Sequence, residues 1–186
     1  MKLHIGCGDV IIPEYTNVDI RYMPGVDVID NAAYLRRFKD EEVTEIYACH
    51  ILEHFCRWDV TVILKRWFDI LTPCGKLVLA VPDFEAIVEF YTQTGNIEAV
   101  KGLLYGGQDY SENMHHNCWD FASIKRVLLD VGFETVARYD WKTESIFSTF
   151  DDFSKCYLPH MDFDNGKLMS LNVTASKCIE SEICHG

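Results

Sequence analysis

Short apolar runs alternate along the chain with segments whose apolar residues recur at spacings of three and four. Residues 2–5 (Lys-Leu-His-Ile) read as a strand stopped by Gly6-Cys7-Gly8, and 17–20, 26–30 and 45–49 as three more. Residues 32–38 predict a short helix. The clearest helix covers 58–71, with Val62, Ile63, Trp67, Ile70 and Leu71 at helical spacing and Thr72-Pro73-Cys74-Gly75 as its terminator. The run 76–82 (Lys-Leu-Val-Leu-Ala-Val-Pro) is apolar on both faces, as a central buried strand requires. Helices are expected over 84–92, 97–104 and 123–131, the last ending at Gly132, and strands over 133–139 and 168–175. This alternation predicts an α/β domain with a mostly parallel sheet. The domain is expected to occupy residues 1–177, with an acidic, aromatic insertion at 141–167 and a polar tail at 178–186.

Composition narrows the partners. The 186 residues suit one domain with a sizeable core. A formal net charge of -12, from 29 acidic against 17 basic residues, argues against nucleic acid and against an anionic membrane surface. No apolar run approaches the roughly 20 residues of a membrane helix, and Met1 to Gly6 forms no signal peptide, so a cytoplasmic protein is expected. The eight cysteines include no C-x-x-C pair and are expected to be free thiols.

The chemistry concentrates at strand ends. Gly6-Cys7-Gly8 lets the backbone pass close to a ligand. A dinucleotide fingerprint needs a third glycine and an acid about 20 residues on; neither is present, which disfavours a nicotinamide-dependent reductase. Asp19, ending the second strand, and Asp30, ending the third, fall on the same rim of a parallel sheet as the glycine turn. A carboxylate at Asp19 can accept hydrogen bonds from both hydroxyls of a ribose. The letters His50-Ile51-Leu52-Glu53-His54 spell H-x-x-E-H, the pattern of an inverted zinc-protease helix. Because 45–49 reads as a strand, His50 falls at its mouth and His54 on the next turn, so the two do not share a helical face. No metal is expected there on this reading.

These residues, together with 45–55 (Glu-Ile-Tyr-Ala-Cys-His-Ile-Leu-Glu-His-Phe) and 71–77 (Leu-Thr-Pro-Cys-Gly-Lys-Leu), resemble class I S-adenosylmethionine-dependent methyltransferases. Tyr105-Gly106-Gly107-Gln108 followed by Asn113-Met114-His115-His116 is most similar to small predicted methyltransferases found among surface-polysaccharide genes. The resemblance implies a single Rossmann-like domain with a seven-stranded sheet whose last strand is antiparallel, and S-adenosyl-L-methionine as cofactor. It places the cofactor on Gly6, Cys7, Gly8, Asp19, Ile20, Asp30, Asn31, Cys49 and His50. It implies a small-molecule or saccharide acceptor, O-methylated, held by His54, Tyr110, Asn113 and Trp119. The catalytic candidates are His115, His116 and Asp83, since an acceptor hydroxyl needs a base or a polarising partner. The loop 105–119, with its glycine pair and histidines, reads as a lid. There are departures: 9–16 is too short for the usual helix between the first two strands, and Cys74 stands at the first glycine of the usual Pro-Gly-Gly turn. The first motivates a competing expectation, a non-catalytic binding or scaffolding module acting with a partner enzyme.

Overall fold

The computed structural model describes residues 1–143 and 149–177. The expected tail at 178–186 and the part of the insertion at 144–148 lie outside the described residues. In chain order the strands and helices are β1 (Lys2–Ile5), β2 (Thr16–Asp19), β3 (Val28–Ile29), β4 (Val43–Cys49), α1 (Val60–Ile70), β5 (Leu71–Pro82), α2 (Phe84–Thr94), α3 (Lys101–Tyr105), α4 (Phe121–Val131), β6 (Thr135–Arg138), β7 (Tyr157–Leu158), β8 (Lys167–Leu168) and β9 (Ser170–Ser176). Seven strands form one sheet in the order β3-β2-β1-β4-β5-β9-β6, and β7 and β8 pair in a separate hairpin. The pairs from β3 to β5 are parallel, whereas β9 runs antiparallel between β5 and β6.

Side chains on successive strand residues point to opposite faces, and the two faces are closed differently. Ile46, Ala48, Leu77 and Leu79 face a large core completed by Leu64, Trp67, Ile124 and Leu128 of α1 and α4. Tyr47 and Val78, on the alternate positions, face a second cluster made with Ile12, Tyr15, Tyr139, Trp141 and Phe150. Ile12 and Tyr15 belong to the connection between β1 and β2, which has no helix. Parallel neighbours normally need a crossover of a dozen or more residues. Here the Asn17 side chain holds the shorter link: Oδ1 accepts from Ile12 N at 3.0 Å, and Nδ2 donates to the carbonyls of Ile12 and Tyr15 at 3.2 and 3.1 Å.

Four local expectations change. Residues 32–38 form turns instead of a helix, because Arg66 of α1 takes the carbonyls of Tyr34, Leu35 and Phe38, and Trp67 Nε1 donates to Ala32 O at 2.7 Å. Val62 is exposed at 72%, and Val60 and Leu64 fill the buried face of α1 instead. Thr72 to Gly75 does not separate helix from strand: β5 starts at Leu71, with Cys74 at φ 64, a left-handed angle that suits the glycine usual there. The expected helix at 97–104 divides into a 3-10 turn at Glu98–Val100 and α3.

Helix ends near the site are set by side chains. Asp83 caps α2, accepting from Glu85 N and Ala86 N, and Asp120 with Ser123 forms a capping box on α4.

Candidate active site

In a sheet of this order the chain leaves β1 toward β2 and β3, then returns to β4 and β5 on the other side. Ligands bind where that reversal opens a crevice beyond the strand ends. Gly6-Cys7-Gly8 follows β1 and His50 follows β4, so both border that crevice. Gly6 and Gly8 have φ of 65 and 55. A Cβ built on Gly8 meets only Arg21 Nη2, at 3.8 Å, so the turn faces open space that a ligand can enter. Beneath it lies Asp19, buried: Oδ2 accepts from Gly8 N at 2.9 Å, and Oδ1 accepts from Arg21 N at 2.8 Å and Nε at 3.3 Å. Asp30 takes Asn31 N and Arg37 N at 2.8 and 3.0 Å, and the Asn31 side chain takes Ala33 N.

Two adjoining cavities share Gly6, Arg21, His50, His54 and Tyr110. The one of about 340 Å³ is walled by Asp19, Ile20, Asp30 and Asn31 as well. The one of about 490 Å³ adds Cys7, Gly8, Cys49, Asn113 and His115. This fits a nucleoside in the first and the remainder of a cofactor, with an acceptor, in the second.

The expected residues therefore divide. Gly6, Cys7, Gly8, Asp19, Ile20, Asp30, Asn31, Cys49, His50, His54, Tyr110, Asn113 and His115 come together on these walls. Asp83, His116 and Trp119 do not. The Asp83 carboxylate is occupied as the α2 cap and by Arg138 Nη1 at 3.2 Å. His116 is exposed, and its backbone N–H donates to Glu53 O at 2.8 Å. Trp119 is buried within the main core. None of the three is on the walls of these two cavities.

Among the further lining residues are Arg21, His4 and Asp152, which the sequence did not single out, and Phe153, from the aromatic stretch 147–157. Arg21 lies over the Tyr110 ring at 4.7 Å, its signal being only that it stands two residues past Asp19. His4 points from β1 into the larger cavity. Asp152 and Phe153 come from the insertion: Tyr47 Oη donates to Asp152 Oδ2 at 2.5 Å, and the Phe153 ring lies 5.3 Å from that of His50. Nothing in the sequence ties residues so distant together.

Burial keeps the imidazoles neutral. His50 is lowered to about 3 by burial and by His115 and His54. Burial likewise lowers His54 and His115, and brings His4 down to about 4. Burial also raises the Glu53 carboxyl to about 8 and the Cys7 thiol to about 12. His50 sits at a left-handed φ of 49, outside the 3-10 turn Leu52–His54, so the H-x-x-E-H letters do not lie on one helix. Its Nε2 lies 3.2 Å from Ser170 Oγ of β9.

The loop after α3 is stitched to the turn after β4. His116 N and Asn117 N both donate to Glu53 O, at 2.8 and 3.3 Å, and Asn117 Nδ2 donates to Phe55 O at 2.6 Å. An early glycine hinge is compatible with Gly106 at φ 74, but the histidine end is tied down, which leaves the tip at 108–113 as the part that stands free of these anchors.

The sequence matches no protein-family model and no curated protein. Its structure is similar to several solved ones. A methyltransferase of Thermotoga maritima described as S-adenosylmethionine-dependent, a possible histamine N-methyltransferase, superposes with a TM-score of 0.61 at 17% identity, covering 95% of this chain and 82% of that one. An S-adenosylmethionine-dependent methyltransferase of Archaeoglobus fulgidus gives 0.59 at 15%, covering 95% and 85%. The 1,6-didemethyltoxoflavin N1-methyltransferase of Burkholderia thailandensis, with its substrate and S-adenosylhomocysteine bound, gives 0.60 at 15%, covering 96% and 71%. No helix among the described residues is long and apolar enough to cross a membrane. At such identities the likeness concerns architecture: this chain has a Rossmann-like methyltransferase fold, with a seven-stranded, mostly parallel sheet.

Proposed function

We propose that this protein is a methyltransferase that binds S-adenosyl-L-methionine across the two cavities and O-methylates a small-molecule or saccharide acceptor. One observation carries the reading: two adjoining cavities of about 340 and 490 Å³ share Gly6, Arg21, His50, His54 and Tyr110, with Asp19 and Asp30 on the first and Gly8 and His115 on the second. Their volumes suit a nucleoside in one and a reacting group in the other.

When bound, the cofactor supplies an electrophilic methyl carbon on a sulfonium. The protein's part is positioning and proton handling. Asp19 Oδ2 keeps a lone pair beyond the one given to Gly8 N, and can accept a ribose hydroxyl. Ile20 and Asn31 flank the base. At the other end the cavity walls would hold the acceptor oxygen in line with that methyl carbon, whose bonding pair would stay on sulfur, and a neutral imidazole or water would take the acceptor proton. Of the three expected catalytic residues, His115 is the one on the wall of the larger cavity, which supports placing it beside the acceptor.

A saccharide is supported by Tyr110 and Phe153, exposed at 40% and 62%, which border the larger cavity and offer aromatic faces to an apolar sugar face. The Tyr105-to-His116 resemblance points the same way.

Calorimetry with S-adenosylhomocysteine tests the cofactor. Wild type is expected to bind it, and Asp19→Ala to bind at least ~30-fold more weakly, about 2 kcal/mol for lost bonds to a charged acceptor. A folded wild type that gives no heat refutes the reading. A tritiated-methyl transfer assay over sugar nucleotides, glycans, phenols and small amines then identifies the acceptor.

A further inference from the structure

Among the described residues Glu53 is a buried carboxylate whose two oxygens both lack a hydrogen-bond partner. Its side chain has no exposed surface. A carboxylate held this way costs several kcal/mol unless a cation or a proton meets it. The surroundings are not a salt bridge to lysine or arginine but a group of imidazoles. One carboxylate oxygen of Glu53 and one ring nitrogen each of His54 and His115 all lie within 4.8 Å of one another. His115 Nε2 is 3.9 Å from Glu53 Oε1, and the His54 and His115 rings meet edge to face at 4.7 Å.

The hydrogen bonds around these rings fix their tautomers. His115 Nδ1 lies 2.9 Å from Leu103 O, and His54 Nδ1 lies 3.1 Å from Met114 O. A carbonyl only accepts, so each Nδ1 carries the proton and each neutral ring keeps its lone pair on Nε2. A histidine whose one nitrogen donates to a backbone carbonyl while the other is free is the usual arrangement of a metal ligand. The ring pair is held by the fold as well, since the loop carrying His115 is anchored through Glu53 O.

We propose that Glu53, His54 and His115 bind a divalent first-row transition-metal cation, of the Zn²⁺ or Mn²⁺ kind, at the wall of the larger cavity. Two imidazoles and one carboxylate form a donor set suited to such ions, and three protein ligands leave coordination positions open toward the cavity. Ligand atoms about 2.0–2.2 Å from such an ion stand roughly 3.3 Å apart. The 3.9 Å pair must close by about half an ångström and the widest separation by at most about 1.5 Å. His50, with Nδ1 at 3.3 Å from Glu53 Oε1 but without hydrogen-bond alignment, sits beside the site and steers that carboxylate. This differs from the zinc-protease pattern the same letters spell: the paired histidines are 54 and 115, from two segments, not 50 and 54 from one helix. On the methyl-transfer reading, on which this last step rests, the open positions would receive the acceptor oxygen and lower its pKa, and the acceptor proton would leave to water, because His54 and His115 spend their Nε2 lone pairs on the ion.

The test is calorimetry on the full chain, stripped with a chelator and titrated with ZnCl₂, MnCl₂ and CoCl₂. One equivalent per chain is expected for at least one of them, with a Kd in the micromolar range or below. Glu53→Gln and His115→Asn should each weaken binding at least ~10-fold, whereas His116→Asn should leave it unchanged. With Co²⁺ the wild type should show visible d–d bands that Glu53→Gln loses. Glu53→Gln keeps the shape and removes the buried charge, so its fold is expected to survive; His115→Asn carries the test if it does not. No stoichiometric binding of any of the three ions overturns the proposal. So does binding by both variants equal to wild type, which would assign the ion to exposed thiols such as Cys56 or Cys118. S-adenosylhomocysteine affinity, measured on the stripped protein, is independent of these outcomes and tells failure of the metal site from failure of the cofactor reading.

Discussion

The two faces of the sheet offer a direct comparison. One is closed by α1 and α4, whose apolar residues pack at regular helical spacing against alternate strand positions. The other is closed largely without helices, by the link 9–15 and by the insertion around Tyr139, Trp141 and Phe150. The first face is held by area buried; the second leans on single polar contacts, between distant segments at Tyr47 and Asp152 and within one short link at Asn17 and Ile12. The candidate site draws on both faces: Asp152 and Phe153 of the insertion wall the larger cavity, and Ala32, Ile51 and Phe55, from the helical-face core, wall the smaller one. A face assembled from irregular segments can present loop side chains to the crevice, where a helix would present only its own surface.

The comparison can be broken most forcefully on the helical face. Trp67 is fully buried there, and Trp67→Ala should cost ~3–5 kcal/mol in urea unfolding. A cost below about 1 kcal/mol would mean that this face is not the one that holds the fold.

On the opposite face the sensitivity should be to acid. His4 is buried between Asn17 and the Tyr47 ring, and burial lowers it from 6.5 to about 4. Between those values the unfolded chain binds the proton and the folded chain does not. Its contribution is therefore complete above pH 6.5 and is lost as pH falls toward 4, on the order of 1–3 kcal/mol. His4→Gln should make the pH–stability profile shallower over that window while the slope from His50, lowered to about 3, remains; parallel profiles would show that His4 has no part in it.

The next contrast lies within the loop. His115→Ala should lower methyl transfer at least ~10-fold with cofactor affinity unchanged, and His116→Ala less than ~2-fold. Equal losses in the two would remove the distinction between the lining and the exposed histidine. The smallest effect is expected at Tyr47→Phe, which deletes the hydroxyl held by Asp152. Stability should fall by about 0.5–1.5 kcal/mol, and KM for the acceptor should rise more than kcat falls, as the insertion loosens. An unchanged KM would separate the insertion from the site.

The same contrast explains what could be read from the residues in advance. The glycine turn, Asp19 and Asp30 announce themselves because each is a strand end, and a parallel sheet aligns such ends without further information. The helix at α1 follows from periodicity. The failure at 32–38 is a tertiary override: local spacing favours a helix, but Arg66 claims its carbonyls from 31 residues away or thereabouts in sequence. Asp83 reads as a rim acid because it follows a buried strand; its use as a helix cap depends on Glu85 N and Ala86 N, and its ion pair on Arg138, 55 residues on. Glu53 stands in the H-x-x-E-H letters, yet its surroundings depend on His115, 62 residues further along the chain.

The backbone carbonyl of Glu53 holds both His116 and Asn117 in place, and Tyr105 O receives His115 N at 3.1 Å. Between these anchors the tip closes on itself, with Gln108 N donating to Asn113 O at 3.0 Å and Asn113 N to Tyr110 O at 3.1 Å. The tip thus stands on a fixed socket while reaching into the crevice, since Tyr110 lies under the Arg21 guanidinium and borders both cavities and Glu112 borders the smaller one. An exchange of residues 108–112 would therefore reshape the mouth of the crevice from above while the anchored imidazoles beneath keep their register.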